Sequence, residues 1–148
     1  MSVELREFVV SDYEAALALW KRCEGIGLSD ADQPCAIKRF LEHNPGLNFV
    51  ATQEGRLVGT VLCGQDGRRG YLYHLAIDPE RRRLGIGKQL ALASLEALKV
   101  AGIQKCHIFV YHDNENGKAF WQSFGWKLRP EIDLLSYDVE IQKVQSSC

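Results

Sequence analysis

The residues best equipped for chemistry lie in one run, Leu75-Ala76-Ile77-Asp78-Pro79-Glu80-Arg81-Arg82-Arg83-Leu84-Gly85-Ile86-Gly87-Lys88. An apolar stretch ends at Asp78-Pro79, a basic turn follows, and two glycines open an amphipathic helix. Backbone N–H groups in the first turn of a helix lack partners within it and sit at the positive end of its dipole. Glycines remove the side chains that would hold a phosphate away, and Arg82, Arg83 and Lys88 add positive charge. The physical reading is a pyrophosphate cradle. A P-loop is excluded, because Arg82 stands where its first glycine belongs and Gln89 replaces its hydroxyl residue. A dinucleotide fingerprint is excluded too: Leu90 occupies the third glycine position, and no Asp or Glu follows about twenty residues on to bind a ribose.

The elements that must position this run read as follows. Val3 to Val10 alternates as a half-buried strand. Ser11 or Asp12 caps a helix, Tyr13 to Cys23, in which Ala16, Leu19, Trp20 and Cys23 share a face. A second helix is expected from about Asp32 to Glu42, stopped at Asn44-Pro45-Gly46. Asn48 to Gln53 and Leu57 to Cys63 form a hairpin around Glu54-Gly55-Arg56. Tyr71 to Ile77 is a buried strand, Gly85 to Ala101 a long helix, Ile103 to Tyr111 a strand, and Asn114 to Phe124 a helix closed by Gly125. In the tail, Leu134 to Ile141 is the clearest further strand. Helices alternate with strands only in the second half, which makes the class α+β with a mixed sheet.

The motif Arg82-x-x-Gly85-x-Gly87, placed after Leu75 to Pro79, resembles the acetyl-CoA signature of the GNAT (GCN5-related) N-acetyltransferase family. The family expects a helix next, then a strand, then an Asn-started helix with an aromatic and a Phe-Gly stop. This chain supplies Asn114, Phe120-Trp121 and Phe124-Gly125-Trp126 in that order. The resemblance covers essentially the whole chain, 1–148, as a single N-acetyltransferase domain. Length and layout are most like the small single-domain bacterial members, of the YpeA type and the ribosomal-protein alanine acetyltransferases. It implies a mixed, largely antiparallel sheet of six to seven strands with about four helices.

Carried over by position, the resemblance makes acetyl-CoA the acetyl donor, with no metal. The main chain of Leu75, Ala76 and Ile77 would hold the pantetheine arm, and an N–H near Ile77 would polarise the thioester carbonyl. Arg82, Arg83, Leu84, Gly85, Ile86, Gly87 and Lys88 would hold the pyrophosphate, and Asn114 would bond to the arm. A primary amine would attack the acetyl carbonyl directly, without an acetyl-enzyme. Two positions depart from the pattern. Trp121 stands where many members carry a tyrosine that protonates the departing thiolate, and an indole N–H donates a hydrogen bond but supplies no proton near neutral pH. Trp121 is therefore expected only to line the thiol end. Phe109 stands where the alanine acetyltransferases carry a glutamate base. Tyr73 and Tyr111 remain the catalytic candidates, with Tyr71 beside them. Strict alternation turns His74 away from Tyr73 and Leu75, so it reads as a packed or hydrogen-bonded histidine, and His112-Asp113 as a helix entry.

The bulk properties bound the rest. A chain of 148 residues with 46% hydrophobic and 25% charged residues fits one globular domain. A net charge of −1 excludes a general nucleic-acid binder. The beginning of the chain has no apolar leader-like run, and no apolar stretch approaches the ~20 residues of a membrane span. Five scattered cysteines show neither zinc-ligand nor framework spacing and read as reduced thiols, the pattern of a cytoplasmic protein. The expected acceptor is an amine on a small molecule, or a protein N-terminus or lysine. The protein is expected to be a monomer or a homodimer. The competing reading is a non-catalytic acyl-CoA-binding sensor or partner-binding module, to which Trp121 lends weight.

Overall fold

The computed structural model describes residues 2–140, which form two compact units meeting in sequence at Phe109 and Val110. The first unit contains a five-stranded sheet in chain order, β1 (Glu4–Glu7), β2 (Phe49–Gln53), β3 (Arg56–Gln65), β4 (Gly70–Ile77) and β5 (Cys106–Ile108). The first three pairings are antiparallel and β4–β5 is parallel. Parallel neighbours need a long crossover, and α3 (Ile86–Val100) supplies it. The other helices of this unit are α1 (Tyr13–Arg22) and α2 (Pro34–His43); α4 (Glu115–Gln122) belongs to the second unit.

Binary patterning separates the two faces of the sheet. Val50, Leu62 and Ala76 join Ala16, Leu19 and Trp20 of α1 and Ile37 of α2 in one core cluster. Ala51, Gly59 and Gly70 turn to the opposite face, where a Cβ on Gly59 would meet Leu90 Cδ1 at 2.9 Å and one on Gly70 would meet Leu98 Cδ1 at 2.6 Å. These glycines let α3 lie close against β3 and β4. Buried Ser94 fixes the helix by donating to the carbonyl of Leu47 at 2.8 Å. The β2–β3 turn uses Glu54 and Gly55 at φ +52° and +76°, the left-handed pair that a tight hairpin requires.

Three expectations need correction. The described residues form five strands, not six to seven, and 126–140 contribute none. Leu134, Leu135, Tyr137 and Val139 are all exposed there, although Leu134 to Ile141 reads as a strand; the last residue of that expected strand, Ile141, lies outside the described residues. β5 is also far shorter than Ile103 to Tyr111, because its ladder with β4 holds only Gly70↔Cys106, Tyr71↔His107 and Leu72↔Ile108. Among the described residues no helix is long and apolar enough to cross a membrane. Cys23, Cys63 and Cys106 are free thiols, whereas Cys35 is disulfide-bonded, against the expectation of uniformly reduced cysteines.

Candidate active site

The short reach of β5 leaves part of the β4 edge open. Beyond Leu72 the β4–β5 ladder stops, while β4 continues to Ile77 on the β3 side only. The edge of β4 from Tyr73 to Ile77 therefore faces away from the sheet's hydrogen bonding, as an arm that pairs with exposed backbone requires. Ala76 is buried and its neighbours Leu75 and Ile77 are half-buried.

β4 then enters a turn that the sequence read as uniformly basic but whose arginines divide their work. Asp78, with a side chain 3% exposed, accepts from the Glu80 N–H at 3.1 Å and from Arg81 Nη1 at 2.6 Å, and pairs with Arg22 at 3.4 Å. Burial pushes the Asp78 carboxyl up, but the Glu80 N–H, Arg22 and Arg81 outweigh it and hold its pKa below the ordinary value. Arg81 also donates to Gln53 Oε1 at 2.7 Å, so it is an internal brace. Arg82 makes an exposed 3.5 Å contact to Glu24, an interaction of small net worth that a ligand anion can replace, and also lies beside the Cys23 thiol. Arg83 and Gly85 both take positive φ, +67° and +81°, and Gly85 is the N-cap of α3 with no side-chain cap bond. The first turn of α3 therefore receives no side-chain cap from Gly85. Arg82, Arg83, Leu84, Gly85 and Lys88 are exposed, whereas Ile86 and Gly87 are buried and anchor the turn. These features fit a pyrophosphate.

The C-terminal end of α1 packs against this turn: Cys23 Sγ donates to the Ile77 carbonyl at 3.4 Å, beside the Arg22–Asp78 and Glu24–Arg82 contacts. Sequence reasoning missed Arg22, Cys23 and Glu24, because no local spacing links residues more than fifty positions apart. Nucleophilic thiol chemistry finds no support. Burial raises Cys23, lifts Cys63 to about 12 and lifts Cys106 to about 11, so none is thiolate near neutral pH. Among the described residues no His, Cys, Asp and Glu side chains group to hold a metal.

The catalytic candidates separate. Tyr73 is 36% exposed and sits in an aromatic face with Phe40 (5.9 Å, edge-on), Tyr71 (6.5 Å) and Phe109 (6.3 Å). Burial, then Tyr71, raises its phenol pKa, so it stays protonated and can act as a donor but not as a base. Tyr111 is 60% exposed, lies past the end of β5, and offers its carbonyl to the Asn114 N–H. His74 corrects the alternation argument. β4 bulges between the Leu62↔Tyr73 and Thr60↔Ala76 pairings, and this swings the His74 ring onto Trp20 of α1 at 4.8 Å. It therefore packs against the same helical layer as Tyr73, not the opposite one.

In the second unit, Asn114 is the N-cap of α4; its Oδ1 accepts from the Gly117 N–H at 2.9 Å. A Cβ at residue 117 would meet that amide at 2.5 Å, which explains the glycine. Trp121 is buried and stacks edge-on with Phe120 and Trp126 at 5.0 and 4.8 Å.

β4 thus outruns its parallel neighbour β5 and is followed, after the basic turn, by a helix opened by Gly85. The profile described as Acetyltransferase (GNAT) family matches residues 8–126. The chain belongs to the GNAT acetyltransferase family. It is 37% identical over 113 residues to Acetyltransferase ECA0875 of Pectobacterium atrosepticum, covering 76% of this chain and 79% of that protein. Its fold is similar to that of the PaiA N-acetyltransferase from Thermoplasma acidophilum, solved in complex with coenzyme A, with a TM-score of 0.75, 22% identity, and 87% and 92% of the two chains covered. It is also similar to AAC(6')-Iy, solved with the bisubstrate analogue CoA-S-monomethyl-acetylneamine, with a TM-score of 0.74, 16% identity, and 95% and 100% covered. In this GNAT chain the signature residues Arg82, Gly85 and Gly87 thus frame the turn between β4 and α3, and the enzyme is an acetyltransferase.

Proposed function

We propose that this acetyltransferase moves the acetyl group of acetyl-CoA onto a primary amine by direct attack in a ternary complex, within one domain. The observation that carries the reading is the β4 edge left open beyond Leu72, joined through the turn of residues 78–85 to the start of α3, which has no side-chain cap. Acetyl-CoA supplies an activated acyl thioester; everything else falls to the chain. The N–H groups from Arg83 to Lys88 and the Arg82 and Arg83 side chains bind the pyrophosphate. The main chain of Leu75, Ala76 and Ile77 aligns the arm, and an N–H near Ile77 polarises the carbonyl. Asn114 is assigned to the arm, its capping carbonyl leaving the amide N–H groups as donors, and Trp121 to the thiol end.

Tyr73 is the preferred proton donor to the departing thiolate, since its phenol remains protonated and it stands two residues before Leu75. Tyr111 is the second candidate. The amine loses its proton to water, and a surface of Tyr71, Tyr73, Phe40 and Phe109 without a carboxylate among them favours the neutral, attacking form. Binding two reactants in line accounts for most of the acceleration. The acceptor is an amine of a small molecule, or a protein N-terminus or lysine, and a bisubstrate analogue bound to the related fold of AAC(6')-Iy accords with an amine acceptor. A cytoplasmic location agrees with dependence on acetyl-CoA.

Steady-state release of the CoA thiol, measured against a panel of polyamines, aminoglycosides and peptides, tests the reading. Amine-dependent release supports it. Tight acetyl-CoA binding without release to any amine would instead favour the sensor module.

A further inference from the structure

One pair of titratable side chains in the first unit is not used by this mechanism. His74 Nε2 lies 2.6 Å from Asp32 Oδ1, and the two side chains are 15% and 8% exposed. Asp32 accepts on its other carboxylate oxygen from the Ser29 N–H at 2.9 Å, and its carbonyl accepts from the Tyr13 hydroxyl at 2.6 Å. An ionised carboxylate only accepts, so the imidazole donates through Nε2. On the strand side, His74 holds φ +47°, an uncommon conformation for a residue with a Cβ. Thr60 Oγ1 donates to the His74 carbonyl at 2.9 Å and itself accepts from Trp20 Nε1 at 2.9 Å. A strained, bulged residue persists only where its surroundings over-determine it, and here α1, β3 and the turn before α2 all bond to it or to its partner.

The bulge takes in His74 and Leu75 and leads directly into Ala76-Ile77. We infer that the His74–Asp32 pair is a positioning device for acetyl transfer: it fixes the β4 bulge, and through it aims the main-chain N–H groups of Leu75 to Ile77. The inference rests on the function proposed above. Tyr13, bonded to the Asp32 carbonyl, is a titratable group next to the pair. Neither His74 nor Asp32 has to touch the substrate.

The test uses four variants of the full chain, with kcat, KM for acetyl-CoA and amide hydrogen exchange at residues 74–77 as readouts. His74→Asn keeps a residue that tolerates positive φ but cannot reach Asp32. Asp32→Ala removes the acceptor, and Asp32→Asn restores an accepting oxygen in the same shape. Tyr13→Phe loosens the same turn but leaves the pair intact. A misaimed carbonyl donor costs about 10- to 100-fold, so kcat falls by that factor in His74→Asn and Asp32→Ala. KM for acetyl-CoA stays within about threefold, because the pyrophosphate contacts are untouched. Exchange at Leu75 to Ile77 accelerates in the same two variants, Asp32→Asn recovers most of kcat, and Tyr13→Phe lowers the melting temperature alone.

Wild-type kcat and wild-type exchange in folded His74→Asn and Asp32→Ala would overturn the inference, as would equal loss of kcat in Tyr13→Phe. If the wild type acetylates no amine, the proposed function fails, and the exchange arm still decides the pair: unaltered protection at Leu75 to Ile77 overturns it. Should Asp32→Ala fail to fold, His74→Asn and Asp32→Asn carry the same decision.

Discussion

Tyr73 and Asp78 are five residues apart and do opposite kinds of work. Tyr73 is half-open, carries a phenol held protonated, and makes no side-chain bond essential to the fold. Replacing it with Phe should lower kcat by about 10²-fold, the lower range for loss of a general acid, and leave acetyl-CoA affinity unchanged. Stopped assays of thiol release beside a binding titration check this; loss of affinity instead would make Tyr73 a binding residue. Asp78 is a structural hub for the Glu80 N–H, Arg81 and Arg22. Asp78→Ala should cost about 2 kcal/mol, between the loss of a cap and the breaking of a buried pair, because both arginines are partly exposed. The pH dependence has a definite sign. Its pKa is lower folded than unfolded, so the stabilisation is full above about 3.9 and disappears as pH falls through the folded value. Urea melts of wild type and variant should therefore differ at pH 7 and converge in acid. The arginines of the turn were legible as a charged cluster but not as individuals: only the fold brings Gln53 to Arg81.

The elements differ in how openly the sequence announced them. α1 and α3 were plain, since apolar spacing and glycine stops are local signals, and both ended within a residue or two of expectation. β5 and the tail strand were not. A strand exists where a partner edge supplies its hydrogen bonds, and the pattern of Ile103 to Tyr111 or Leu134 to Ile141 names no partner. The bulge at His74 was hidden for a related reason, because alternation assumes an unbroken ladder, and it is where Thr60, Trp20 and Asp32 converge. The seating of α3 on the sheet gives an element-scale expectation. Gly70→Ala pushes into the buried Leu98 side chain and should cost about 1–2 kcal/mol, since crowding a packed interface is destabilising. Thermal melts measure the cost. No loss would mean that Leu98 finds a second rotamer and that the glycine is not needed for close approach.

At the scale of the whole molecule, a family match from residue 8 to residue 126 and the open β4 edge of the first unit support one account. The signature run was legible in the sequence, because a glycine-opened helix after a basic turn is a local chemical pattern, and the fold sets it between β4 and α3. The aromatic face of Phe40, Tyr71, Tyr73 and Phe109 was not legible, because rings from α2, β4 and the end of β5 meet only in the fold. The central claim is that the start of α3 holds the pyrophosphate of acetyl-CoA. Calorimetric titration of acetyl-CoA into the wild type and into Arg82→Glu/Arg83→Glu tests it most directly, since both side chains are exposed and the reversal spares the core. The account predicts saturable binding by the wild type and affinity at least about tenfold weaker in the double variant, the worth of one charge-assisted contact. Equal affinity in the two proteins, or no binding by the wild type, would contradict it.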